Sequence, residues 1–178
     1  MRKIYHVAST VDGFISHEDH SVDGFIQEGE HASDYLNAMK NDYDVVFMGR
    51  NTYDFGLKFG VTNPYPWMKQ YVFSSSLKES PNEHVELISS DPSELVRTLK
   101  NQTGKDLYLC GGGDLAGAFL NANLIDEIIL KLNPVVFGAG ISLFGDTVKT
   151  VPLKLEDAKV YSNGVILIRY AVLSNSDS

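Results

Sequence analysis

Three short stretches of this chain combine glycine or serine with hydrogen-bond donors, and each follows an apolar run. The first is Cys110-Gly111-Gly112-Gly113-Asp114-Leu115-Ala116. Gly111 to Ala116 has the G-x-G-x-x-A spacing that lets backbone N–H groups approach a pyrophosphate at a helix N-terminus. In that fingerprint an acidic ribose partner ends a second strand about 20 residues on. Asp126-Glu127 instead precede a strand, so a glycine turn needed only for packing stands beside the dinucleotide reading. The second stretch, Gly49-Arg50-Asn51-Thr52, sets a guanidinium at a helix start, which suits a phosphate as well as it suits a solvated arginine. The third, Ser74-Ser75-Ser76, carries hydroxyls for a second phosphate, or is simply a polar turn.

Other reactive residue types argue for less. His17-Glu18-Asp19-His20 is made of ligand-type side chains, but it lies in a glycine-flanked loop without a helical i, i+4 face. It reads as a solvated loop, and no metal is expected. No G-x-S-x-G nucleophile elbow occurs. Cys110 ends an apolar run and reads as a small core residue. His6, His31 and His84 have no sequence partner, and Asp12 shapes the turn before Gly13.

The elements that must position these residues follow from apolar patterning. Ile4 to Ala8, Val45 to Met48, Gln70 to Phe73, Val85 to Ile88 and Asp106 to Cys110 are short apolar runs of the kind found in strands buried on both faces. His31 to Asn41 reads as a helix with Tyr35, Leu36 and Met39 on one face. Asp91-Pro92-Ser93-Glu94 opens another with an N-cap, a first-turn proline and an acid. Gly49-Arg50-Asn51-Thr52 turns into a short helix, and Asp114 to Asn121 forms a further one. Ile125 to Leu132 and Val165 to Ala171 are the last long strands. They come without a long helix between them, which argues for an antiparallel hairpin at one edge. Strands alternating with helices predict an α/β fold, a mainly parallel sheet with helices on both faces. In such sheets ligands bind outside the carboxyl ends of the strands, so all three junctions point at one crevice. Val11-Asp12-Gly13-Phe14-Ile15 recurs as Val22-Asp23-Gly24-Phe25-Ile26, a local duplication within a loop.

The whole chain bounds the function. Its 178 residues predict one domain, with a polar tail at 174–178 expected to fray. A chain of this size buries roughly 70% of its unfolded surface and needs no disulfide or metal to fold. One cysteine fits a reducing compartment, and with no signal-peptide pattern or long apolar run the expectation is a cytoplasmic protein without a membrane span. Fifteen basic residues against 23 acidic ones give a formal net charge of −8, without a local basic cluster. Nucleic acid is therefore a poor partner, whereas a small anionic ligand held by local donors is not excluded.

Taken in order, Ser9-Thr10-Val11-Asp12-Gly13-Phe14-Ile15, Val46 to Tyr53, Val72 to Ser76 and Gly111-Gly112-Gly113 resemble the dihydrofolate reductase superfamily. Asn133-Pro134-Val135-Val136-Phe137-Gly138-Ala139-Gly140, ending at Leu143-Phe144, is similar to its riboflavin-biosynthesis reductase branch. The resemblance runs from about residue 3 to 171. It implies a three-layer αβα sandwich, NADPH as hydride donor and a homodimer. Arg50 and Ser75, with Ser74, Gly49 and Asn51 beside them, would hold the 2′-phosphate end. Thr52 and the backbone of Gly111, Gly112, Gly113, Asp114 and Leu115 would hold the pyrophosphate across a cis Gly111–Gly112 peptide. Ala8 and Ile15 would border the nicotinamide.

The chain also departs from the folate-reducing pattern. Ser33 falls where those enzymes carry an acid, leaving Asp34 as the expected proton donor with Lys131 behind it. Met68 falls where they anchor a carboxylate with arginine. The zinc deaminase usually joined to the riboflavin-pathway reductase would need a P-C-x-x-C that does not occur here. The reading is thus an NADPH-dependent reductase transferring hydride to a C=N or C=O of a small heterocyclic, pterin- or pyrimidine-like substrate. A non-catalytic NADP(H)-binding regulatory module is the alternative, and a dimer whose glycine turns only pack the fold is a third reading.

Overall fold

The apolar runs become the strands of an eight-stranded sheet. The computed structural model describes residues 1–100, 104–146 and 149–173; the expected frayed tail lies outside them. In chain order the elements are β1 (Lys3–Ser9), β2 (Phe14–Ser16), α1 (Glu30–Asn41), β3 (Tyr43–Gly49), α2 (Arg50–Lys58), β4 (Lys69–Phe73), β5 (Val85–Ile88) and α3 (Pro92–Lys100). They continue with β6 (Asp106–Gly111), α4 (Gly113–Asn121), β7 (Glu127–Leu132), β8 (Ile141–Ser142), β9 (Leu153–Val160) and β10 (Ile166–Val172). The sheet order is β5-β4-β3-β6-β1-β7-β10-β9, and β2 pairs with β8 in a separate ribbon. From β5 to β7 every pairing is parallel; β10 runs antiparallel to both β7 and β9.

Side-chain alternation divides the core into two layers. Tyr5, Val45, Phe47, Leu107, Leu109 and Ile128 point to the face covered by α3 and α4. Ile4, Val46, Met48, Tyr108 and Ile129 point to the face covered by α1 and α2. This is the expected three-layer sandwich.

Two local expectations need correction. β7 and β10 do pair antiparallel, but the C-terminal hairpin is β9–β10. β9 escapes a search for apolar runs because all eight of its residues are exposed on an edge strand rich in charge. On α1, Tyr35 and Met39 face the core, whereas Leu36 is exposed. Met68, at the position of the absent arginine, is buried among Val72, Val85 and Tyr53 as a packing residue. The N-cap expected for α3 is present: the Asp91 carboxylate accepts the Ser93 amide at 2.8 Å. No helix among the described residues is long and apolar enough to cross a membrane.

Candidate functional site

The carboxyl ends of β3, β6, β1 and β7 open onto one cleft of about 860 Å³. Its lining includes Ala8, Ile15, Gly49, Arg50, Asn51, Thr52, Gly112, Gly113, Asp114, Leu115 and Lys131. Residues separated by more than 120 positions are thereby brought to one surface, as a parallel sheet requires.

Two helices begin at this cleft, α2 after Gly49 and α4 after Gly112. Both N-cap residues are glycines and neither helix has a side-chain cap bond. The first amides of both helices are therefore free of the usual serine or aspartate partner, which leaves two N-termini suited to an anion. The junctions also touch. A Cβ on Gly49 would stand 3.4 Å from the Gly112 nitrogen, and one on Gly112 would stand 3.5 Å from Thr52 Oγ1. The Gly111–Gly112 peptide is cis. Gly113 has a packing reason as well: a Cβ there would lie 2.1 Å from the Ser142 carbonyl oxygen.

Arg50 opens α2, and its Nε donates to both carboxylate oxygens of Asp54, at 2.6 and 2.7 Å. This i, i+4 pair holds the arginine beside the glycine turns. Ser74 and Ser75 follow β4, next to β3 in the sheet. They are not among the lining residues: Ser74 Oγ accepts the Leu77 amide at 3.0 Å and so closes its own turn, and Ser75 is exposed. Gly111 lies buried behind the lining.

The opposite wall comes from the duplicated loop. Gly13 and Gly24 both take a positive φ, +87° and +96°, which permits the same turn in each copy. Ile15 from one copy, with Ser16 just after it, and Val22 and Phe25 from the other line the cleft. Phe25 stacks on Phe137 with ring centroids 5.2 Å apart. The Asp12 carboxylate reaches beyond its own turn to accept the Phe137 and Gly138 amides, at 3.2 and 2.7 Å. Within the His17–His20 segment, the His17 ring stacks on Phe137 and Asp19 accepts the Ser21 amide, while His20 lines the cleft.

The floor holds residues that no local pattern singles out. Tyr35 from α1, Tyr108 and Cys110 from β6, and His6 from β1 all line the cleft beside Lys131. The Tyr35 hydroxyl lies 3.1 Å from that of Tyr108 and 3.5 Å from that of Tyr65, and Tyr65 lies 3.6 Å from Cys110 Sγ. Burial raises the phenol pKa values of Tyr35 and Tyr108 and that of the Cys110 thiol, so all three stay protonated at neutral pH. Burial also pushes the His6 imidazole down to about 3 and lowers the Lys131 ammonium.

Asp34 is not brought to this floor. It lines a second cavity of about 270 Å³ beneath α1, which shares His6, Tyr35 and Lys131 with the cleft. Its carboxylate accepts hydrogen bonds from Lys159 Nζ and the Tyr161 hydroxyl, both at 2.7 Å. These bonds, the one from Lys159 foremost, hold its pKa below the usual carboxylate value. It is an ionised acceptor at neutral pH and is not among the residues lining the cleft. One helical step of about 100° separates it from Tyr35, which does reach the cleft.

Comparison with known proteins agrees with this architecture. The chain is 34% identical to the uncharacterized protein YyaP of Bacillus subtilis strain 168 over 181 residues, covering 95% of this chain and 94% of that one. A solved structure named for riboflavin biosynthesis, from Shewanella sp. PV-4, superposes with a TM-score of 0.83 at 24% identity, covering 98% of this chain and 100% of the other. The Thermotoga maritima diaminohydroxyphosphoribosylaminopyrimidine deaminase/5-amino-6-(5-phosphoribosylamino)uracil reductase superposes with a TM-score of 0.71 at 19% identity. That match covers 97% of this chain but 56% of the Thermotoga chain. The family model of the RibD C-terminal domain matches residues 3–167, β1 into β10, and the chain belongs to that family.

Proposed function

We propose that the cleft binds NADPH and that the protein is a reductase acting on a C=N or C=O of a small, heterocyclic acceptor. The observation that carries this reading is the pair of glycine-capped helix N-termini, α2 and α4, opening side by side onto one cleft that Arg50 also lines. The residues present fit the group. At Gly49 and Gly112 a Cβ would only touch the neighbouring junction, so the fit rests on the uncapped amides: those of Gly113, Asp114 and Leu115 suit a pyrophosphate, with Thr52 Oγ1 beside them. Arg50, steadied by Asp54, suits the 2′-phosphate, with Asn51 and Ser75 beyond it. Ala8 and Ile15 offer apolar contact for the nicotinamide. When bound, NADPH supplies the hydride.

The chain's own residues do the rest. The duplicated loop and the floor confine the acceptor and exclude water. Holding the two reactants close and aligned removes several kcal/mol of the barrier. Lys131 holds a proton at the atom that gains the electron pair, a task that Asp34 cannot perform from its place beside Lys159. The name of the Thermotoga structure, an aminopyrimidine deaminase and uracil reductase, supports a substrate of the pyrimidine type.

Calorimetric titration tests the cofactor reading. Arg50→Ala should weaken NADPH binding by about tenfold or more, since it removes a charge-assisted bond, and leave NADH binding nearly unchanged. Equal losses for both nucleotides would remove Arg50 from the 2′-phosphate site, and no binding of either to the wild type would remove the cofactor itself.

A homodimer belongs to the same proposal. The exposed β9 edge, with Leu155 at 57% and Val160 at 72% exposure, is the surface for a second copy.

A further inference from the structure

Among the described residues, Lys131 is a cation with no anion of its own. It lies on β7 with its register partners Ala8 on β1 and Leu167 on β10, neither of which offers a charge. It faces the α1 side of the sheet, where the cleft and the smaller cavity meet. Every carboxylate on that face among the described residues is engaged or distant. Glu127 is bracketed by Arg2 and Arg169, Asp106 by Arg2, and Asp34 by Lys159 and Tyr161. Asp42 precedes β3, at the foot of the sheet. Val45 and Lys3 both pair with Leu107, whereas Lys131 pairs with Ala8. Five residues at about 3.3 Å each therefore set Lys131 roughly 16 Å above that level. The two acids lining the cleft, Asp114 and Asp146, belong to α4 and the 145–146 turn, and α4 covers the opposite face of the sheet. The other titratable groups lining the cleft floor with Lys131 are His6, Tyr35, Tyr108 and Cys110, all of which burial keeps neutral, and Arg169 on the same face is matched by Glu127.

A half-buried cation without a counter-charge is costly, and a ligand that supplies the charge recovers that cost. Around Lys131 the floor offers donors. The hydroxyls of Tyr35 and Tyr108, 3.1 Å apart, are neutral phenols lining the same cleft. One of these hydroxyls donates to the other, which leaves an ammonium and one phenol proton, a donor pair that suits an oxygen with its two lone pairs better than an imine nitrogen with one.

On the reading of the cleft as a cofactor-and-acceptor site, we infer that the acceptor is a small planar molecule presenting an anionic oxygen, a carboxylate or an acidic enol or lactam oxygen, to Lys131 between Tyr35 and Tyr108. Lys131 is then the residue that selects charge in the substrate.

The test is calorimetric titration of the NADP+-saturated protein, and of the protein without nucleotide, with benzoate and with its neutral isostere benzamide. The wild type should prefer benzoate by about tenfold or more, the size expected of one charge-assisted contact. Lys131→Met should erase the preference and Lys131→Arg should keep it. Binding of 2′,5′-ADP, which reaches the far end of the cleft, should be unchanged in both variants and serves as their folding control. Equal affinity for the two probes, a preference that survives in Lys131→Met, or failure of benzoate to bind at tens of millimolar would each overturn the inference. Loss of NADP+ binding in the wild type would instead overturn the cofactor reading, and the nucleotide-free titration would still decide the role of Lys131.

Discussion

His6 illustrates how placement sets the behaviour of a titratable group. It sits on the central strand with its ring edge against Tyr35, centroids 5.3 Å apart, and Nδ1 3.3 Å from the Tyr43 hydroxyl. Burial dominates and holds its pKa at about 3 instead of 6.5. Between those values the unfolded chain binds a proton that the folded protein does not, so stability falls as pH falls from 6.5 toward 3. At pH 5 the loss from this residue is about 2 kcal/mol. Urea unfolding of wild type and His6→Gln at pH 7.5 and pH 5 should show the wild type losing about that much more than the variant. Parallel losses would mean that the imidazole charges in the folded state without penalty.

The glycines at the starts of α2 and α4 perform two different tasks. Gly49 and Gly112 are the N-caps of α2 and α4, and their missing side chains leave the first amides of both helices without a side-chain cap. Gly113 lets α4 pack under the 142–145 segment, against backbone that has little room to yield. Gly113→Ala would press a methyl group to 2.1 Å from the Ser142 carbonyl oxygen and 3.1 Å from the Gly145 nitrogen. The expected cost is about 1–3 kcal/mol. For a chain of this length that lowers the melting temperature by about 2–4 °C per kcal/mol. A melting curve that superposes on the wild type would show that this packing relaxes freely. The packing and cofactor readings of the glycine turn, open in the sequence, are therefore not rivals: Gly113 packs and Gly112 opens a cradle.

As a whole the molecule is asymmetric across its sheet. One edge ends in short β5, and the other in β9, whose eight residues all face solvent. A long edge strand with exposed Leu153, Leu155 and Val160 is the kind of surface that pairing covers. Replacing Leu155 and Val160 together by lysine should convert the proposed dimer to monomer, read as a halved mass by light scattering after size exclusion. A wild type that is monomeric at the same concentration, or a variant that stays dimeric, would place the interface elsewhere or remove it. The formal charge of −8 makes Lys131 all the more local a feature, since an anionic ligand must be drawn by a specific cation and not by the field of the molecule.

Much of the fold was legible because its signals are local. Strands buried on both faces must be continuously apolar, so Val45 to Met48 and Asp106 to Cys110 declare themselves, and a helix beginning at glycine after such a run declares an open N-terminus. Gly49, Arg50 and Gly112 could therefore be placed at one sheet edge from the chain alone. β9 could not be read, because an edge strand has no inner layer to impose a pattern on its side chains. Nor could the floor of the cleft. His6, Tyr35, Tyr108 and Lys131 come from four elements and meet only when β1 inserts between β6 and β7 with α1 across them. On α1 a single residue step decides between Asp34, turned to Lys159, and Tyr35, turned to the cleft. Periodicity cannot make that choice, because it is the packing of α1 on the sheet that sets the rotation of the helix.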